Sequence, residues 1–404
     1  CESPEVLDRM ISAGVDVIDI GMVTSPLLYW SLFHLDLDGA VMITGSHNPK
    51  EFNGLKLAFG KTTLYGDQIQ EIRRMIAADD LVTAAQRGFA TKMDLSGEYL
   101  AMLESKISLG GRKLKVVTDS GNATAGPLVN RFLRGIGCEV TPLFEEPDGT
   151  FPNHHPDPTK REYVQDLIET VRREKADVGL GFDGDADRIG VIDDRGEIVW
   201  GDILMILFWR EILPRHPGAE AIVEVKSSQA LVDEIKRLGG KVVWWKSGHS
   251  LIKAKMKEID ALFSGEVSGH MFFADEFWGF DDAFYAAGRL LRILSGTGRK
   301  LSELLEDVPV YYSTAETRVA CPDERKFDVI DHIRDNALKD HEAITVDGVR
   351  ILYPRGWGLV RASNTQPVIV ARAEGKTEGD LAEYSADLKR RILEAGVEDF
   401  DWEY

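Results

Sequence analysis

The stretch ADVGLGFDGDADR (176–188) decides how this chain is read. An apolar run, Val178 to Phe182, ends abruptly in three carboxylates, Asp183, Asp185 and Asp187, spaced by Gly184 and Ala186. Such a run, closed by a polar turn, reads as a short strand feeding a loop. The same plan recurs on both sides of it. Upstream in the same unit lie LKVVTDSGNATAG (114–126), a helix near 127–135 and CEVTPLF (138–144). Earlier still, a helix-like segment from Pro4 to Gly14 leads into VDVIDIG (15–21), and Ala40 to Ile43 runs into TGSHNP. Downstream come AEAIVEVKSS (219–228), a helix over 229–238, KVVWWKSGHS (241–250), a helix over 251–257 and ALFSGEVSGH (261–270). Strands alternating with helices of about ten residues predict parallel α/β layers, in which ligands bind at the carboxyl ends of strands.

The last hundred residues follow another rule. YSTAETRVACP (312–322) reads as a strand, FDVIDHIRDNAL (327–338) as a helix, then GVRILYP, GLVRASN and PVIVARAEG as strands, with a closing helix near 378–394. That mixture predicts an α+β unit. With 404 residues the chain exceeds one core and divides into domains predicted at 1–92, 93–193, 194–308 and 309–404. EEPDGTFPNHHPDPTK is a loop inside the second of them. His154 and His155 hint at a metal there, but the flanking prolines and the lack of carboxylate spacing favour a structural loop.

The formal charge of −19 argues against nucleic acid as a partner and requires any anionic substrate to meet a locally basic site. Cys1, Cys138 and Cys321 show no C-x-x-C spacing, which predicts neither disulfides nor a zinc knuckle and points to a reducing, cytoplasmic setting. No apolar run nears the roughly 18 residues of a membrane span. The opening CESPEVLDRM is helix-like, has no initiator Met, and suggests a missing N-terminal segment.

Four loops could carry chemistry. In DGDADR, carboxylates at i, i+2 and i+4 converge on one hard cation if the backbone bends, and Mg²⁺ prefers oxygen ligands in phosphate company. In TGSHNPKEFNGLK (44–56), Ser46 offers a hydroxyl beside His47, Lys50 and Lys56, and a serine needs such partners to act as a nucleophile. In GEVSGH (265–270), Glu266 and Ser268 are an i, i+2 pair able to accept and donate hydrogen bonds to sugar hydroxyls. In RASNTQP (361–367), Arg361, Ser363, Asn364 and Thr365 form a set that suits phosphate. Lys226 and His249 lie on further turns. Each loop alone also admits a plainer reading: an acidic turn, a polar turn, a glycine-rounded hairpin, a capped strand end.

As an ordered set, these four loops resemble the signatures of the α-D-phosphohexomutase superfamily. FPNHHPDP, WKSGHSLIKAKMKE and FWGFDDAFYAAGRLLRILS resemble its bacterial phosphomannomutase/phosphoglucomutase branch. The resemblance implies three similar α/β domains with mixed, mainly parallel sheets and a C-terminal α+β domain around a central cleft. It implies a phosphorylated Ser46 with His47, Lys56 and Arg188 beside it, and Mg²⁺ held by Asp183, Asp185, Asp187 and the Ser46 phosphate. Glu266, Ser268 and His270 would read the sugar, Lys226 and His249 would orient it, and Arg361, Ser363, Asn364 and Thr365 would hold the non-reacting phosphate. Lys56 and His249 are the candidates for general acid and base. The implied activity interconverts hexose 1- and 6-phosphates, of mannose and/or glucose, through a hexose 1,6-bisphosphate, in a monomer or weak dimer. Phosphoglucosamine mutase and a Mg²⁺-assisted phosphatase are alternatives, as is an inactive sugar-phosphate-binding fragment. The last follows because the family opens with a strand and an arginine turn that precede residue 1 here. Ala186 stands where the family commonly has glycine, a small change that is tolerated if φ stays negative.

Overall fold

The computed structural model describes residues 3–49, 51–363 and 366–403, so Cys1, Lys50, Asn364 and Thr365 lie outside the described residues. The chain forms two compact units, one of residues 1–201 and 268–304, the other of 202–267 and 305–404.

In the first unit a five-stranded mixed sheet runs in the order Ile198–Val199, Ile189–Ile192, Val178–Phe182, Lys115–Asp119, Glu139–Leu143. Its last three strands are parallel, as the alternation with helices predicts, and the first two are antiparallel. Val178–Phe182 is central and buried throughout. Helix Gln165–Glu174 covers it with Leu167, Ile168 and Val171, apolar positions that fall on one helical face. Gly179 allows that approach: a Cβ there would sit 2.7 Å from Val171 Cγ2. The DGDADR loop differs from a strand-to-helix turn, because Val178–Phe182 pairs antiparallel with Ile189–Ile192, Phe182 opposite Ile189. DGDADR is therefore a hairpin loop.

TGSHNPKEFNG is a second hairpin loop. It joins Gly39–Ile43 to Leu55–Phe59, whose antiparallel register sets Met42 opposite Lys56. Val17–Asp19 pairs in parallel with Ala90–Lys92. Helix Ser25–His34 begins at Thr24, whose hydroxyl accepts from the Leu27 amide, and it is buried along nearly its whole length. Helix Ala283–Ser295 starts on Asp282, which accepts from the Phe284 and Tyr285 amides.

In the second unit Glu220–Glu224 pairs in parallel with Lys241–Trp245, and helices Gln229–Arg237 and His249–Ile259 follow them. The latter helix starts two residues earlier than expected. A six-stranded antiparallel sheet occupies the C-terminal part, with Gly356–Ala362 between Val349–Tyr353 and Val368–Gly375. The single strand expected over 312–322 is two, Tyr312–Ser313 and Thr317–Ala320, both on Val368–Gly375. Thr314 interrupts them because its hydroxyl accepts the Ala373 amide. Helices Asp323–Ala337 and Glu378–Glu394 supply Ile330, Ile333, Leu388 and Ile392 to the core against Ile351, Val360 and Ile369. Among the described residues no helix is long and apolar enough to cross a membrane.

Candidate active site

The two hairpin loops of the first unit meet. The Ser46 hydroxyl donates to Asp183 Oδ2 at 2.9 Å. Gly184 makes the meeting possible, since a Cβ there would lie 2.0 Å from the Ser46 carbonyl oxygen. A Gly184→Ala variant is expected to lose about 1–3 kcal/mol of stability, read by urea unfolding, because the two loops must part. Thr124, from the turn after Lys115–Asp119, donates its hydroxyl to the Gly184 carbonyl at 2.9 Å and fixes the loop from the other side.

The acid loop is a charge cluster. Ligand oxygens of Asp183, Asp185 and Asp187 all lie within 4.8 Å of one another, and all three residues are buried. Asp183 Oδ1 accepts the backbone N–H groups of Asp187 and Arg188, each at 3.1 Å. Asp185 Oδ2 accepts from Ser25 Oγ and from Lys56 Nζ, both at 2.6 Å. Lys56 also reaches Asp187 Oδ2 at 2.5 Å. Burial, with Asp187 and Asp185 adjacent, pushes the Asp183 carboxyl well above the usual carboxylate range. Burial acts on Asp187 in the same direction, but Lys56 and His270 hold it well below that range. For Lys56, burial pulls downward while Asp187 and Asp185 raise it well above an ordinary lysine. Asp185 Oδ1 is buried with no hydrogen-bond partner. An orphaned carboxylate oxygen beside two other carboxylates is a donor set for a hard divalent cation. These residues fit such an ion.

Ala186 does not meet the condition of a negative φ: it is left-handed, with φ 59°. Its own amide closes a turn onto the Asp183 carbonyl at 3.2 Å, and the Asp187 and Arg188 amides that follow it both donate to Asp183 Oδ1. Ser46 is left-handed too, at φ 51°. A non-glycine residue in that region costs roughly 1–2 kcal/mol and persists only where the surroundings hold it.

His47 Nδ1 lies 3.1 Å from Ser46 Oγ, and its Nε2 lies 3.4 Å from Arg188 Nη1. Burial and the Arg188 guanidinium push its pKa down to about 4, so the ring is neutral at pH 7. A guanidinium can only donate, which places the His47 proton on Nδ1, toward the serine oxygen. Arg188 Nε donates to His270 Nε2 at 3.3 Å, and Ser268 Oγ lies 3.2 Å from His270 Nδ1. The first unit thus brings together Ser46, His47, Lys56, the three aspartates, Arg188, Ser268 and His270.

The remaining described candidates lie in the second unit. Lys226, on the turn after Glu220–Glu224, is paired with Glu316 at 2.8 Å. Burial pulls its pKa down, but Glu224 and Glu316 outweigh it and raise the group. The turn is clamped by two arginines that sequence reading missed. Arg350 is fully buried, its guanidinium 3.8 Å from the Trp357 ring centroid and 4.4 Å from that of Trp244. Its Nη1 donates to the Val225 and Ser227 carbonyls, each at 2.7 Å, while Arg372 Nη1 donates to the Lys226 carbonyl at 2.9 Å. Glu266 accepts the Gly248 amide at 2.8 Å, immediately before His249. Arg361 Nε donates to Asp347 at 2.9 Å, and Asp347 also accepts the Ser247 amide at 3.2 Å. Ser363 has its carbonyl held by Lys326 Nζ at 2.6 Å.

Glu224 supplies a pH test of this unit. It accepts from Ser247 Oγ at 2.8 Å and from the Val267 amide at 2.6 Å. Burial pushes its carboxyl up to about 7 despite Lys226, with Glu266 adding to the rise. The folded chain therefore holds this proton more tightly than the unfolded chain. The stabilisation is complete below about 4.5 and is lost as pH rises through 7. Glu224→Gln mimics the neutral acid, so denaturant midpoints should show the parent losing stability relative to the variant between about pH 5 and pH 8.

Ser25, Thr124, Glu224, Glu316 and Asp347 were also missed. Only Ser25 carried a local signal, in the Thr24-Ser25-Pro26 start of an apolar helix.

Family models described as phosphoglucomutase/phosphomannomutase match in four consecutive pieces. The α/β/α domain I matches residues 4–83, domain II 97–196, domain III 200–312, and the C-terminal domain 316–391. A "Phosphomannomutase/phosphoglucomutase" of Pseudomonas syringae pv. tomato is 43% identical over 396 residues, covering 96% of this chain and 84% of that protein. A "Probable phosphoglucosamine mutase" of Methanopyrus kandleri is 33% identical, covering 96% of this chain and 87% of that protein. Among solved structures, a phosphoglucomutase/phosphomannomutase family protein from Burkholderia thailandensis superposes with a TM-score of 0.92 at 38% identity, covering 100% of this chain and 88% of that one.

Proposed function

The chain belongs to the phosphoglucomutase/phosphomannomutase family of phosphoryl-transferring mutases, and from that membership we propose that it interconverts the 1- and 6-phosphates of mannose, glucose or both through phosphorylated Ser46. The observation that carries this reading is the 2.9 Å hydrogen bond from Ser46 to Asp183, inside a buried acid cluster formed 137 residues away in sequence. The higher identity to the phosphomannomutase/phosphoglucomutase, 43% against 33%, favours this substrate class over glucosamine phosphate.

In the first transfer the bond between phosphorus and Ser46 Oγ breaks, and one forms to the free hydroxyl of a bound hexose monophosphate. The hydroxyl proton passes to a base and the serine oxygen takes up a proton, giving a hexose 1,6-bisphosphate. After this intermediate turns over, its other phosphate returns to Ser46. Asp183, Asp185, Asp187 and the Ser46 phosphate would hold Mg²⁺, which when bound neutralises charge on the phosphoryl group. We assign Lys56 and His249 to the acid and base halves of the proton exchange. His47, with its proton on Nδ1, stabilises the departing serine oxygen. Glu266, Ser268 and His270 read the sugar hydroxyls, Lys226 orients the ligand, and Arg361, Ser363, Asn364 and Thr365 hold the non-reacting phosphate. We place the protein in the cytoplasm as a monomer or weak dimer acting on free phosphosugars; its charge of −19 repels nucleic acid and anionic membranes.

The test is mass spectrometry of the TGSHNP peptide for one phosphoryl group, with turnover on mannose 1-phosphate, glucose 1-phosphate and glucosamine 6-phosphate side by side. Phosphorylated Ser46 and bisphosphate-stimulated turnover of the first two support the proposal. Free phosphate accumulating without bisphosphate stimulation would replace it with a phosphatase, and ligand binding without phosphoserine would replace it with a binding protein.

A further inference from the structure

The FPNHHPDP stretch (151–158), read from the sequence as a structural loop, touches the serine loop directly. His155 Nε2 is hydrogen-bonded to the backbone carbonyl of His47, the residue after Ser46. A carbonyl oxygen only accepts, so the His155 proton sits on Nε2 and the ring donates. The ring is held edge-on by Phe151, centroids 5.6 Å apart, and by Tyr163, at 5.8 Å.

Behind His155 stands a second histidine with both nitrogens committed. His154 Nδ1 lies 2.9 Å from the His155 carbonyl, and its Nε2 lies 3.1 and 3.0 Å from the two oxygens of Asp119. Both nitrogens face acceptors, which is the pattern of an imidazolium. Asp119 ends the interior strand Lys115–Asp119, which lies between Val178–Phe182 and Glu139–Leu143, and is 3% exposed, so this support is anchored in the sheet. The His155 carbonyl accepts a second bond, from the Asp157 amide at 2.9 Å. Pro156 packs so closely on Gly121 that a Cβ on that glycine would lie 2.9 Å from Pro156 Cβ. The loop is thus tied to the sheet on both sides of His155.

At the other end of this chain of contacts is a strained residue. Ser46 is left-handed, and its amide donates to Thr44 Oγ1 at 2.8 Å. With the Thr44 contact before Ser46 and the His155 contact after it, the backbone on each side is restrained. Over-determination of this kind is what a strained residue needs to persist. We propose that His155 is a positioning residue for phosphoryl transfer: through the His47 carbonyl it sets the aim of Ser46 Oγ, with His154 and Asp119 as its rigid support. The inference rests on the reading of Ser46 as the phosphoryl carrier.

The test compares two variants. His155→Phe keeps an aromatic ring between Phe151 and Tyr163 but removes the donor, whereas His155→Gln restores an N–H at similar reach. Each protein is loaded with glucose 1,6-bisphosphate, its phosphorylated fraction is measured by intact mass, and single-turnover transfer from Ser46 to glucose 1-phosphate is then followed. His155→Phe is expected to slow transfer on the order of 10²-fold, the effect of a misplacement of about 1 Å, with the half-saturating sugar concentration unchanged. His155→Gln is expected to recover most of the rate. His154→Gln, which keeps one donor, should slow transfer less and likewise leave half-saturation alone. A merely structural role would lower the phosphorylated fraction and leave the rate of that fraction intact.

A His155→Phe rate equal to the parent's, or a His155→Gln rate as slow as that of His155→Phe, overturns the inference alone. If His155→Phe does not fold, the His154→Gln rate decides, and parity with the parent overturns it. A parent that accepts no phosphoryl group on Ser46 overturns the functional reading, and the inference with it.

Discussion

Replacing Ser46 with alanine is expected to abolish bisphosphate-dependent turnover, by on the order of 10⁴-fold or more, while leaving the chain folded. The hydroxyl is the only part of residue 46 that can carry phosphate, and none of the neighbours that support it can substitute. His47 lies 3.1 Å away with its proton already on the facing nitrogen, and Lys56 is committed to Asp185 and Asp187. The structural penalty is the loss of the hydrogen bonds to the buried Asp183 and to His47, about 1–3 kcal/mol each and below the effect on rate. A coupled assay with added bisphosphate, alongside intact mass, separates the two. Near-normal turnover in Ser46→Ala would remove the covalent step from the mechanism.

Asp185→Asn is expected to abolish metal dependence and activity together. The substitution is isosteric and keeps an oxygen for Ser25 and Lys56, which both contact Asp185 Oδ2 at 2.6 Å. What it removes is one of the three carboxylates gathered within 4.8 Å, together with the orphaned oxygen Oδ1. Loss of a direct ligand should weaken Mg²⁺ binding by more than the roughly 10–100-fold that losing an outer contact costs. The readout need not involve catalysis. In the parent, Mg²⁺ at 100 times its dissociation constant should add about 2.7 kcal/mol to unfolding stability. The same concentration should barely shift the variant. A variant whose midpoint responds to Mg²⁺ as the parent's does would show that the cation is held elsewhere.

Much of this site was legible because its chemistry is local. Three carboxylates within DGDADR need only a bent backbone to converge, and TGSHNPKEFNGLK carries its hydroxyl, imidazole and ammonium within a dozen residues. The strand–helix alternation was legible for a related reason: apolar runs separated by ten-residue helices leave few layer arrangements. The hairpins were not. A strand that turns back antiparallel and one that enters a helix both show an apolar run followed by a polar turn, and only the pairing of Phe182 with Ile189 distinguishes them.

The left-handed backbone at Ala186 defeats the residue-type rule for another reason. The rule weighs the intrinsic cost of a positive φ, whereas the surroundings hold the backbone after Ala186, where the Asp187 and Arg188 amides both meet Asp183 Oδ1. Arg350 shows the same limit in the second unit. As one basic residue inside GVRILYP it resembles a solvated strand position, yet it is fully buried between two tryptophans and holds the Lys226 turn by two carbonyls.

By itself the sequence determined the four loops, their order, and the donor atoms each can offer, because those are properties of neighbouring residues along the chain. Tertiary structure alone decided that Ser46 reaches Asp183, that Ser25 and Thr124 steady the acid loop, and that His155 grips the residue beside the serine. The physical reason is that hydrogen bonds and charge pairs act over a few ångströms of space whatever the separation along the chain. Partners more than a hundred residues apart leave no mark on each other's local sequence.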